Sequence, residues 1–175
     1  MSQNFRTIVN VLPAAKQMHY HSPSMWVGSC FTENIGQQLQ QAKLPTHINP
    51  FGILYNPISI AGCLGRLIDE RLFTPTDIYQ HQQQYFSFEH HHARFANSNA
   101  AECLSNINQH LINSAAFLRQ THFLFITFGT AWVYKLVDNG QIVGNCHKLP
   151  AKQFTKELLP INDIVSTYQK LIEQL

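Results

Sequence analysis

Two side chains with nucleophilic atoms stand next to each other in Gly28-Ser29-Cys30-Phe31, and the flanking residues decide what they can do. The apolar run Met25-Trp26-Val27 stops at Gly28, as a short buried strand ending in a turn would. From Thr32 to Ala42 the pattern becomes helical, with Ile35, Leu39 and Ala42 at helical spacing and Glu33 in the first turn. The tetrapeptide is therefore expected at a strand-to-helix corner. Amides at a helix N-terminus lack intrahelical partners and point at whatever sits above the strand's end. A hydroxyl or thiol placed there is exposed beside donors able to hold an oxyanion, and the anionic form of a thiol is favoured. A plainer role suits the same residues, with Ser29 a helix cap and Cys30 a small buried side chain.

A nucleophile needs a base within about 3 Å, or one water away. The chain carries 10 His. His147, after a hairpin signal, and His91 and His92, in the triplet His90-His91-His92, are the candidates, although each also reads as an ordinary hydrogen-bonded or surface imidazole. The triplet with Cys103, or the pair Cys146-His147, supplies zinc-type donors. Adjacent histidines on a strand point apart, however, and no Cys-x-x-Cys or His-x-x-x-His pairing is present, so no metal is expected. Tyr85, Phe86, Phe88 and Trp132 offer stacking surfaces for a ligand, or plain core.

The elements that must position these groups follow the chain in order. Pro57 suits the first position of a helix running to Asp69, and Ser98 or Asn99 can cap a longer one from Ala100 to about Arg119. His122 to Phe128 is apolar nearly throughout, as a parallel strand covered on both faces would be. Trp132–Val137 and Gln141–Asn145 flank Asp138-Asn139-Gly140, a hairpin signal over about 132–145. A last amphipathic helix is expected over Ile164–Leu175, capped by Asn162 or Asp163. Residues 72–97 read as a long loop or insertion. Strands alternating with helices imply parallel crossovers and an α/β class.

The 175 residues suggest one domain. The charged share is only 13%, with a net charge of +2 and no cluster of Lys and Arg, which argues against a nucleic-acid partner. No apolar run reaches signal-peptide or membrane-spanning length, so no membrane partner is expected, and the four unevenly spaced Cys read as reduced thiols of a cytoplasmic protein.

Residues Gly28 to Gly36 look like the signature that names the GSCFA family, and they resemble the Gly-Asp-Ser-Leu block that opens the SGNH hydrolases. Asn49-Pro50-Phe51-Gly52-Ile53-Leu54-Tyr55-Asn56-Pro57, Thr127 to Tyr134, Asn145 to Pro150 and the stretch from Ser87 to His91 match the family's pattern in the right order. The resemblance implies a three-layer α/β/α domain with a parallel, flavodoxin-like sheet, incomplete at its C-terminal end, because a late Ser-Pro-Val-Arg-His block does not occur. It implies hydrolysis of an acyl ester, or transfer of an acyl group, on a carbohydrate or similar small polar substrate, with no cofactor. In the ungapped register Cys30 takes the nucleophile position, with Ser29 the alternative, and the base would be His147 or lie outside these residues. Gly52 would give an oxyanion N–H. Gly129-Thr130-Ala131 stands where the superfamily has Gly-x-Asn, and Ala131 has no side-chain donor, so Asn56 or Asn145 would have to serve. His91 and His92 would line the substrate site. A sheet left without its last strands would expose an edge through which two copies pair. A glycan- or acyl-binding module without catalysis is the alternative.

Overall fold

The computed structural model describes residues 7, 9–90 and 94–175. The chain is a mixed α/β structure. Strand β1 (Ser24–Gly28) is buried along its whole length. Helix α1 (Cys30–Gln41) follows at once, then the short strand β2 (Thr46–Ile48). Helix α2 (Pro57–Ile68) starts with proline at its first position, and the Asn56 side chain accepts the Ser59 amide to cap it. Two short strands, β3 (Tyr79–His81) and β4 (Gln84–Phe86), precede α3 (Ala100–Leu118). The Asn99 side chain caps α3 by accepting the amides of Ala101 and Glu102. Strand β5 (Phe123–Thr127) leads to β6 (Trp132–Leu136), β7 (Ile142–Val143), β8 (Phe154–Leu158) and helix α4 (Ile161–Ile172).

The main sheet is parallel, in the order β2-β1-β5. Its register sets Ser24 opposite Thr46 and Phe123, and Gly28 opposite Thr127. Strand alternation sends Met25 and Val27 into the main core, where they join Ile60, Leu64 and Leu67 of α2 and Ile107 and Leu111 of α3. Trp26 points the other way and stacks on Phe125 with ring centroids 4.0 Å apart. β6 pairs antiparallel with β7 and β8, and β3 with β4.

Several expectations are corrected. Residues 72–97 are not structureless, because β3 and β4 form a hairpin whose turn residues Gln82 and Gln83 take positive φ. The excursion is tied to α2 by Arg66. Its buried guanidinium donates to both carboxylate oxygens of Glu89 at 2.9 and 2.7 Å and to the Arg71 carbonyl at 3.0 Å, and it lies 3.8 Å from the centroid of the Phe73 ring. β5 is only half-buried, because among the described residues it pairs with β1 alone. α4 begins at Ile161 with Pro160 in the cap position, so neither Asn162 nor Asp163 caps it. β8, hidden among the polar residues of Phe154-Thr155-Lys156-Glu157-Leu158, completes the second antiparallel sheet. Among the described residues no helix is long and apolar enough to cross a membrane.

His90 sits at the centre of an aromatic cage. It stacks on Phe51 at 4.3 Å and touches Phe73 and Phe95, and among the described residues neither ring nitrogen has a hydrogen-bond partner. Burial, and secondarily the charge of Arg66, pushes its pKa down to about 3 from the ordinary 6.5. A depressed imidazole pKa means the unfolded chain takes up the proton first. The contribution of neutral His90 to stability is therefore complete above pH 6.5 and declines as pH falls toward 3, by about 1.4 kcal/mol per pH unit. Replacing His90 with Phe removes the orphaned nitrogens and this slope. Urea unfolding at pH 7.5 and pH 5.0 should show the wild type losing about 2 kcal/mol more than His90→Phe across that interval.

Candidate active site

Gly28 is the last residue of β1, with φ of 142°. The sheet register brings Thr127 so close that a Cβ on Gly28 would lie 2.1 Å from the Thr127 carbonyl oxygen. Only glycine fits, for the space as well as for the φ angle. Ser29 then occupies the cap position of α1, yet its hydroxyl does not cap the helix. It pairs with the Thr127 hydroxyl at 3.0 Å, and the Ser29 amide donates to the same oxygen at 3.1 Å. The Thr32 hydroxyl, one turn along α1, also contacts Thr127 Oγ1. A hydroxyl has one proton and two lone pairs. One lone pair of Thr127 takes the Ser29 amide, and its remaining lone pair and proton serve the two other hydroxyls. Thr127 Oγ1 is thus saturated, and Ser29, bonded to it, is 7% exposed.

Cys30 has a different situation. It is the first residue of α1 and its thiol faces solvent. Among the described residues, no acceptor pairs with the amides of Cys30, Phe31 or Thr32, the unpaired donors of a helix's first turn. The plain reading, a side-chain cap from Ser29 and a buried Cys30, is therefore not what the corner shows.

The corner is braced by Asn49, which is completely buried with φ of 43°. Its side-chain oxygen accepts the Gly28 amide at 2.9 Å and its side-chain nitrogen donates to Glu33 at 2.8 Å. Its own amide donates to the Trp26 carbonyl, and its carbonyl accepts the Gly52 amide at 2.8 Å. This last bond corrects the role expected of Gly52. An N–H engaged in the turn it closes has no second proton for an oxyanion. The amides of Gly129 and Thr130 are likewise committed, to the Tyr55 carbonyl at 2.8 and 3.2 Å.

Three other predicted residues do come together. Asn56, Thr130 and Asn145 line one cavity of about 220 Å³, whose remaining wall includes Tyr55, Trp132 and Cys146. Burial raises the Cys146 thiol pKa. His147 lies elsewhere. Its Nε2 bonds the Ser87 carbonyl at 2.9 Å and its ring stacks on Phe86 at 4.1 Å, partners that do not belong to the corner. A carbonyl only accepts, so Nε2 carries a proton in this contact. His91 and His92 lie outside the described residues. Among the described residues, no group of three or more His, Cys, Asp and Glu gathers as a metal site would require.

Asn49, Thr127, Thr32 and Glu33 escaped the sequence reading as site residues. Asn before Pro was a usable signal for Asn49, since Asn tolerates the left-handed region better than most residues. Nothing in the sequence pairs Thr127 with Ser29, 98 positions apart.

A family model described as the GSCFA family matches residues 23–175. No curated protein and no solved structure matches the chain.

Replacing Asn49 with Ala would leave the buried Gly28 amide without an acceptor and put a residue with no αL preference at φ of 43°. The expected loss is at least about 2 kcal/mol in urea unfolding, with Gly28→Ala costing no less. Equal stability of Asn49→Ala and wild type would show that the brace is not what fixes the corner.

Proposed function

The chain belongs to the GSCFA family, and on that premise we propose that it is an SGNH-like hydrolase or acyltransferase acting on acyl esters, with Cys30 as nucleophile. The observation that carries the reading is the exposed thiol on the first residue of α1, beside unpaired first-turn amides and on a rigid corner. Its sulfur, as thiolate, attacks the acyl carbon, and the amides of Cys30 and Phe31 receive the developing oxyanion in place of Gly52. The ester C–O bond breaks, the alcohol leaves with a proton from the base, and a thioester remains. Water or an acceptor hydroxyl then gives up its proton to the base and attacks, the C–S bond breaks, and the thiolate is restored. His147 is the candidate base within these residues, acting by way of a water or the substrate.

A single three-layer, flavodoxin-like domain belongs to the same proposal. It draws on the parallel order β2-β1-β5 and on β1 sending alternate side chains to opposite faces. So does pairing of two copies along β5, whose second edge has no strand among the described residues. The four free thiols suit a reducing, cytoplasmic compartment. One observation favours the binding-only alternative: the Gly52 amide is committed and Ala131 offers no side-chain donor where the superfamily has Asn.

Incubation with an activated p-nitrophenyl ester should acylate Cys30, detected by peptide mass spectrometry. Cys30→Ala should lower ester turnover by at least about 100-fold, and Ser29→Ala should lower it far less. Acylation of Ser29 instead, or turnover indifferent to both changes, would remove Cys30 from the reaction. Light scattering at micromolar concentration should return a dimer mass, and a clean monomer would count against the β5 pairing.

A further inference from the structure

The cavity shared by Asn56, Thr130 and Asn145 has a chemistry of its own. Three half-exposed aromatic rings stand on its wall: Tyr55, Trp132 and Tyr134. No charged side chain lines it, so its ligand is neutral. The polar groups are mostly hydrogen-bond donors. Asn145 uses its side-chain oxygen to accept the His147 amide at 2.7 Å, which leaves its NH₂ free among the described residues. Thr130 accepts the Trp132 amide at 3.1 Å and keeps its hydroxyl proton. The phenols of Tyr55 and Tyr134 have no partner among the described residues. The Lys156 ammonium stands 4.8 Å from the Trp132 ring centroid, and the residue is 46% exposed.

Aromatic rings and neutral donors around a space of about 220 Å³ select a small, uncharged ring with an apolar face and a polar rim. That volume falls below the roughly 300 to 1,000 Å³ of sites that hold drug-sized ligands, so one ring fits and an extended chain does not. A pyranose matches: its axial C–H bonds make a face for Trp132, while its hydroxyls accept from Asn145, Thr130 and the phenols. A flat heteroaromatic ring would stack as well but offers fewer acceptors around its rim.

The cavity also lies close to the corner. Thr130 follows Thr127, the hydroxyl that holds Ser29, by three residues, a chain reach of roughly 11 Å. Leu54 donates to the Gly28 carbonyl, and the next residue, Tyr55, forms part of the cavity wall.

We infer that this cavity is a subsite for a single uncharged pyranose unit, stacked on Trp132 and hydrogen-bonded by Asn145 and Thr130. It rests on the acyl-ester reading in one respect, for it names the sugar as the group whose hydroxyl carries or receives the acyl chain at Cys30.

Equilibrium binding tests the subsite without turnover. Methyl β-glucopyranoside and methyl β-xylopyranoside are titrated into the whole chain, with adenosine and cyclohexanol as flat and purely apolar controls. Fluorescence reports Trp132, since Trp26 is buried against Phe125. The expected result is saturable quenching by a pyranoside with a Kd on the order of 1 mM. Trp132→Ala and Asn145→Ala should each weaken it by roughly 2- to 10-fold, and Cys30→Ser should leave it unchanged. A second readout does not depend on changing the wall. In Cys30→Ser the half-buried Cys146 is the most accessible remaining thiol, because Cys63 and Cys103 are buried, and bound pyranoside should slow its alkylation. Absence of both quenching and protection up to roughly 50 mM, about fifty times that Kd, would overturn the subsite. So would equal binding of adenosine or cyclohexanol, or pyranoside binding indifferent to Trp132→Ala. Binding that persists in a protein without ester turnover would sink the acyl-transfer reading and leave the subsite standing.

Discussion

Everything at the candidate site hangs on the four hydrogen bonds of Asn49. A buried side-chain amide has two donors and one strongly accepting oxygen, and leaving them unmatched costs on the order of 1–3 kcal/mol each. Asn49 matches its oxygen to Gly28 and its nitrogen to Glu33, while its backbone closes on Trp26 and Gly52. These partners lie before, at and after the strand-helix corner. The amide therefore fixes the corner's position from three directions, and Glu33 ties that brace to the first turn of α1. Gly28 is the complementary constraint. The corner can pass so near Thr127 only because no Cβ intervenes.

That close approach divides labour between two adjacent nucleophilic residues. Ser29, at the point of contact, is drawn into the hydroxyl knot with Thr127 and Thr32. Among the described residues the partners of this hydroxyl are hydroxyls, and neither an imidazole nor a carboxylate is one of them. One residue on, the helix has begun to turn, and Cys30 projects away from the sheet into solvent. Strand register thus separates the two side chains, one held against β5 and the other exposed.

How much of this was legible in the sequence depended on range. Local signals held: Asn99 caps α3, Pro57 opens α2, and Asn139-Gly140 sits in the turn between β6 and β7. The corner itself was readable because the apolar run of β1 and the helical period of α1 meet at Gly28. Non-local pairings were not. β8 reads as polar because it is an edge strand exposed to water, so its alternation carries almost no apolar signal. The 72–97 hairpin hid for a similar reason, its short strands being interrupted by two glutamines in the left-handed region. Around the corner, the motif matches gave segments but not their bonding. Gly52 was expected to donate outward, whereas its amide closes a turn on Asn49. His147 bonds Ser87 and stacks on Phe86, contacts that no sequence pattern announces.

Residues 49–56 act as one bracket between the two strands that matter. Asn49 and Leu54 bond the end of β1 through Trp26 and Gly28, Tyr55 accepts two amides from the segment just past β5, and Asn56 caps α2. The same eight residues therefore set the corner that presents Cys30, the backbone beside Gly129 and one wall of the aromatic cavity. Gly129 shows how little slack remains, since a Cβ there would come within 2.7 Å of the Tyr55 ring. Because one short segment carries both the support of the Cys30 corner and the cavity's wall, the two are tied to the same backbone. A ligand that presses on Tyr55 presses, through Leu54 and the Gly28 carbonyl, on the corner itself. That mechanical continuity is what a site needs when binding energy gained on a non-reacting ring is to be used for placing an acyl carbon against a sulfur.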